Sequence, residues 1–154
     1  MIRTMAETAA RGEAPEILFW VGCAGSFDDR ARRITQSLAR ILEHVGIKFA
    51  VLGTEESCTG DPAKRAGNEF LFQMMALSNI RVLNGYNIKK IVTACPHCFN
   101  TLKNEYPELG GDYEVVHHSQ LIRQLISEGK LKAENGEDFK GKKITYHDPC
   151  YLGR

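Results

Sequence analysis

Five short apolar runs recur along the chain, and four of them give way at once to residues patterned at helical spacing. The runs are EILFWVG (16–22), IKFAVL (47–52), KKIVTA (89–94), YEVVHH (113–118) and KITYHD (143–148). Short apolar, β-branched stretches of this kind read as strands buried on both faces. After the first, Ser26 offers an N-cap and Asp28 and Asp29 fall in the first turn. Ala31, Ile34, Leu38, Ile41, Leu42 and Val45 then repeat at helical spacing up to Gly46. Asp61-Pro62 opens a long helix through Phe70, Met74 and Leu77 to Gly85. Pro96 opens another to Tyr106, and Ser119 caps one that stops at Gly129. Strands alternating with helical crossovers form a mostly parallel sheet with helices on both faces. The expected fold class is α/β and Rossmann-like.

Such a sheet places the cysteines. Cys23 follows the first strand, Cys58 the second, Cys95 and Cys98 the third and Cys150 the fifth, while His117 and His118 close the fourth. Loops that follow parallel strands gather along one edge, where ligands bind. Cys23, Cys58, Cys95 and Cys98 can therefore converge although up to 75 positions separate them. The plain alternative makes each cysteine a small, inert, buried hydrophobe. Against it, none of the five falls in the interior of an expected strand or helix. Gly22, Gly25, Gly53 and Gly60 flank the cysteines and let the backbone approach a bulky ligand. Cys95 and Cys98 in a first helical turn face backbone N–H groups, which stabilise thiolate.

Four thiolates suit a [4Fe–4S] cluster and equally a structural zinc. Zinc sites usually contain two close pairs, whereas only Cys95 and Cys98 are close here, which leans towards the larger cluster. Cys95-Pro96-His97-Cys98 at a strand–helix junction is also what a thiol–disulfide oxidoreductase uses, though such a protein has no need of Cys23 and Cys58. The GCAGS stretch (22–26) lacks the third glycine and the lysine of nucleotide-binding loops.

Composition bounds the partners. The 154 residues suit one domain with a proper core, and a net charge of +1 gives no reason to expect nucleic acid. No apolar run approaches the ~18 residues of a spanning helix. The opening MIRTMAETAARGEAPE has no apolar signal region, so residues 1–15 read as a flexible lead-in or linker. A cytoplasmic location follows, and there five cysteines point to metal or redox chemistry.

Cys23, Cys58-Thr59-Gly60 and Cys95-x-x-Cys98, within ESCTGDPAKRAGNE, TACPHCFNTLKNEYP and HDPCYLGR, resemble the cysteine-rich CCG domain over residues 16–154. That domain occurs in heterodisulfide reductase subunits, the glycolate oxidase iron–sulfur subunit and related oxidoreductases. The resemblance implies an iron–sulfur domain with Cys23, Cys58, Cys95 and Cys98 as ligands. It would relay electrons between a flavin-linked donor and a quinone or disulfide-linked acceptor. It further implies a second CCG-type domain, a ferredoxin-like or membrane subunit and a flavoprotein donor as partners, with membrane association through the rest of the protein. The family usually carries two such domains in tandem. Residues 16–142 would be the first, and 143–154 the opening strand and loop of a truncated second, with Cys150 matching Cys23 and binding elsewhere. One position departs: Thr59 stands where the family pairs two cysteines, so four thiolates suit a [4Fe–4S] cubane or zinc, and disulfide cleavage is not expected here.

The remaining residues have simpler expectations. His97 faces solvent or caps a helix, one of His117 and His118 packs inward, and His147-Asp148 orients the Cys150 loop. Lys64 and Arg65 lie on a solvated face, and Trp20, Phe70, Met74 and Leu77 belong to the core.

Overall fold

A computed structural model describes residues 2–132, 134, 136–147 and 150–153. Four of the five apolar runs form strands: β1 (Ile17–Trp20), β2 (Phe49–Ala50), β3 (Lys90–Thr93) and β4 (Glu114–His117). They pair in parallel in the order β2-β1-β3-β4, with Leu18 beside both Ala50 and Ile91, and Val92 beside Val116. The helices are α1 (Met5–Ala10), α2 (Gly22–Phe27), α3 (Asp29–His44), α4 (Asp61–Arg65), α5 (Glu69–Gly85), α6 (Pro96–Asn100), α7 (His118–Ser127) and α8 (Cys150–Gly153). From α6 the coil widens to a π turn over Thr101–Glu105, then tightens to a 3-10 turn over Tyr106–Leu109.

Alternation along the strands sorts the core into two layers. Leu18, Trp20, Ile91 and Val115 pack with Phe72, Ala76, Ile80 and Leu83 of α5, and with Phe99 and Tyr106. Ile17, Phe19 and Val92 turn the other way, against Leu38, Ala39 and Leu42 of α3 and Leu121 and Leu125 of α7. All four β1 side chains are buried and Trp20 is wholly so, as a strand covered on both faces requires. The Rossmann-like α/β arrangement is present, with helices on both faces. Among the described residues no helix is long and apolar enough to cross a membrane.

Several local expectations need correction. Ser26 does not cap a helix: its hydroxyl donates to the Gly22 carbonyl at 2.9 Å inside α2, and Asp28 caps α3 by accepting from Ala31 N–H at 2.8 Å. The long helix over 61–85 is two. Gly67, at φ +80°, ends the first, and Asn68 caps α5 by accepting from Leu71 N–H at 3.1 Å. His117, not Ser119, caps α7. Phe70, Met74 and Leu77 are not core: they are 75%, 55% and 40% exposed. Helix α5 is apolar nearly all round, and the sheet takes only the side bearing Phe72, Ala76, Ile80 and Leu83.

Both ends of the chain also differ from expectation. Residues 3–10, read as part of a flexible lead-in, lie against the β2 edge. Thr4 and Glu7 form a reciprocal capping box on α1, Met5 is 4% exposed, and Met5 N–H donates to the Val51 carbonyl at 2.8 Å. Residues 143–147 form no strand, and Ile144 and Tyr146 stand exposed. Asp148, expected to act with His147, lies outside the described residues.

Candidate metal centre

The turns that leave the carboxyl ends of β1, β2 and β3 meet around Cys98. Gly22 has φ +76°, and a Cβ placed on it would lie 3.4 Å from Cys98 Sγ and 3.9 Å from Cys95 Cβ. From the turn after β2, the buried Thr59 hydroxyl donates to Cys98 Sγ at 3.9 Å, and Gly60 N–H donates to Cys58 Sγ at 3.5 Å. Two side chains lock that turn. Asn79 donates to the Cys58 carbonyl at 2.9 Å and to Tyr106 Oη at 3.0 Å, and the Tyr106 hydroxyl donates to the Thr59 carbonyl at 3.1 Å. Burial raises the Tyr106 pKa, and the nearby Cys98 and Cys58 sulfurs raise it further, so it remains a phenol.

Cys95 and Cys98 behave as a pair. Pro96 starts α6 and Cys95 is its N-cap. A hydrogen bond from the Cys98 thiol brings Cys95 down to about 6, against burial and helped by the N–H groups of Cys98 and His97. The same bond and burial push Cys98 up. Cys95 is thus the more acidic of the two sulfurs. The structure brings Cys58, Cys95 and Cys98 to one locality, while Cys23 is exposed in the first turn of α2 and Cys150 is exposed at the start of α8. Among the described residues, no group of three or more histidine, cysteine, aspartate or glutamate side chains is gathered as a metal cage.

Around the sulfurs lies a polar frame that the motifs did not announce. Glu56 Oε1 and Oε2 accept from the N–H groups of Gly22 and Val21 at 2.6 and 3.0 Å. Burial lifts this carboxyl to about 7, although the two N–H bonds pull it down. Asp61, only 4% exposed, lies 2.9 Å from His97 Nδ1, accepts from Thr101 and pairs with Arg65 at 3.3 Å. His97 is therefore tied to α4, and the Tyr151 ring of α8 packs 4.5 Å from its imidazole. Arg65 and Lys64, expected on a solvated face, both engage Glu105. His117 packs inward as one of its pair was expected to do: its Nε2 lies 3.2 Å from the Ala94 carbonyl, and burial lowers it to about 4. His118 is partly buried beside it.

The donor set fits a thiolate-bound metal or cluster. Soft sulfurs are met by N–H and O–H donors, and Gly22 leaves room against Cys98 that a side chain would fill. The wholly buried Trp20 indole N–H, in the same apolar cluster as Cys98, has no partner among the described residues. It is a buried donor left over in the core layer that also holds Cys98. A bare dithiol would need none of the frame around Cys58.

Known proteins resemble this arrangement in sequence. The family model of the CCG cysteine-rich domain matches residues 17–103. An EtfAB:quinone oxidoreductase of Syntrophomonas wolfei is 48% identical over 143 residues, covering 93% of this chain and 20% of that protein. The probable iron-sulfur-binding oxidoreductase FadF of Bacillus subtilis is 45% identical over 153 residues, covering 99% of this chain and 21% of its own. One component of the dihydromethanophenazine:CoB–CoM heterodisulfide reductase of Methanosarcina mazei is 34% identical over 145 residues, covering 90% of this chain and 34% of that component. The chain thus spans a fifth to a third of these relatives' lengths. No solved structure matches it.

Proposed function

Because this chain belongs to the CCG cysteine-rich domain family, we propose that it is an iron–sulfur electron-transfer domain of a larger oxidoreductase. Cys23, Cys58, Cys95 and Cys98 are its ligands. The observation that carries this reading is the meeting of three strand-end turns around Cys98, with Gly22, Thr59 and Cys95 all at its sulfur. Relatives named for iron–sulfur binding, quinone reduction and heterodisulfide reduction support a redox role. A [4Fe–4S] cluster is the group four thiolates suit, and when bound it would take up and release single electrons.

The chain's own residues then set the environment of that group. Gly60 N–H and the Thr59 hydroxyl stabilise negative charge on Cys58 and Cys98. The helix start at Cys95 favours thiolate there. Asn79 and Tyr106 hold the Cys58 turn at a fixed height above the sheet. Electrons would pass between a flavin-linked donor and a quinone or disulfide-linked acceptor carried by other domains or subunits, some at the membrane. Residues 143–154 would open a second repeat. In support, Cys150 begins a short helix, as Cys23 lies in the first turn of α2.

The hydrogen-bonded Cys95–Cys98 pair favours a second reading, a thiol–disulfide oxidoreductase. Purification without oxygen, followed by iron, sulfide and zinc analysis, separates the possibilities. About four iron per chain with broad visible absorption is expected. One zinc in colourless protein would make the domain a structural module. Metal-free protein that exchanges disulfides through Cys95 would favour the second reading.

A further inference from the structure

We propose that Glu56 is the positioning residue that brings Cys23 to the centre, an assignment that rests on the four-cysteine reading above. Cys23 is the one proposed ligand that is exposed, so its place depends on the backbone leading into it. That backbone, Val21-Gly22, receives no side-chain cap from its own segment. Glu56 reaches it from 35 and 34 positions away and accepts both N–H groups, at 3.0 and 2.6 Å. Two bonds to successive amides fix orientation as well as distance. The peptide so held carries Gly22 against Cys98, and Cys23 comes next. Glu56 also lies two positions before Cys58, so one carboxylate sets the spacing between the Cys23 and Cys58 turns. A serine or aspartate within the first turn could cap α2 equally well, but it would leave that spacing free.

A carboxylate beside sulfurs is costly in charge, because Glu56 acts unfavourably on the Cys98 thiolate. The two amide bonds offset that cost at this one position. Side chains that orient metal ligands typically contribute 10–100-fold in metal affinity.

Cobalt(II) titration of the whole chain, reduced and without oxygen, tests the assignment by counting thiolates from the intensity of the near-ultraviolet sulfur-to-cobalt charge-transfer band. The wild type should give a four-thiolate spectrum and Cys23→Ser a three-thiolate one. Glu56→Ala should match Cys23→Ser, bind cobalt about 10–100-fold more weakly than wild type, and change no further when Cys23→Ser is added. Glu56→Gln keeps an acceptor oxygen and should retain four-thiolate binding at about tenfold lower affinity. If Glu56→Ala does not fold, the Gln variant decides, and wild-type affinity in it overturns the proposal. A four-thiolate spectrum of wild-type affinity in folded Glu56→Ala also overturns it. A wild type that never shows four thiolates would instead sink the four-cysteine site itself.

Discussion

A hydroxyl oxygen is a neutral, hard donor, and at Thr59 it can give the Cys98 sulfur a hydrogen bond but no metal bond. Because Thr59 is 2% exposed and its Oγ1 lies 3.9 Å from that sulfur, a thiol at this position would enter the site directly. Thr59→Cys is therefore expected to alter the electron paramagnetic resonance of anaerobically reconstituted protein. An unchanged spectrum would show that position 59 stands clear of the cluster. His117 gives a second residue-scale expectation. Burial and the neighbouring His118 lower it from 6.5 to about 4, so the folded chain holds it neutral while the unfolded chain protonates first. Its contribution is complete above pH 6.5 and is lost as pH falls towards 4, by on the order of 3 kcal/mol. Urea denaturation at pH 7 and pH 4.5 should show His117→Asn losing less stability between the two than wild type. Equal losses would mean that the folded chain protonates His117 as readily as the unfolded one.

Helices show where the sequence could and could not be read. Strand–helix alternation correctly gave the parallel sheet, because period and apolar content are local properties. Caps were harder. Ser26 and Asp28 both suit an N-cap, and the choice fell to Asp28 because the chain first makes the extra turn of α2 around Cys23. Apolar content misled at α5, whose residues are hydrophobic on more sides than the sheet can cover. Replacing the exposed Met74 by Lys should shift stability by no more than about 0.5 kcal/mol. Phe72→Ala, at a site 1% exposed, should cost about 3–5 kcal/mol. Chemical denaturation of both variants checks this, and a large loss at Met74 would mean that its side of α5 is covered in solution.

Across the whole molecule, the meeting of Cys58, Cys95 and Cys98 was legible because turns that follow parallel strands gather along one edge. Their frame was not. Glu56, Asn79 and Tyr106 act on partners 21 to 47 positions away, and no periodicity records such pairings. The N-terminal segment was misread for a related reason, since its docking depends on Val51 and the β2 edge. The sheet order β2-β1-β3 has a kinetic side. Its central strand pairs with one neighbour later in the sequence and with another later still, so the turns bearing Cys23, Cys58 and Cys95 become neighbours only after two long loops have closed. If Cys23, Cys58, Cys95 and Cys98 hold the proposed group, only the Cys95–Cys98 pair is close before the sheet forms, so loading would follow folding and whatever inserts the group would act on a finished sheet.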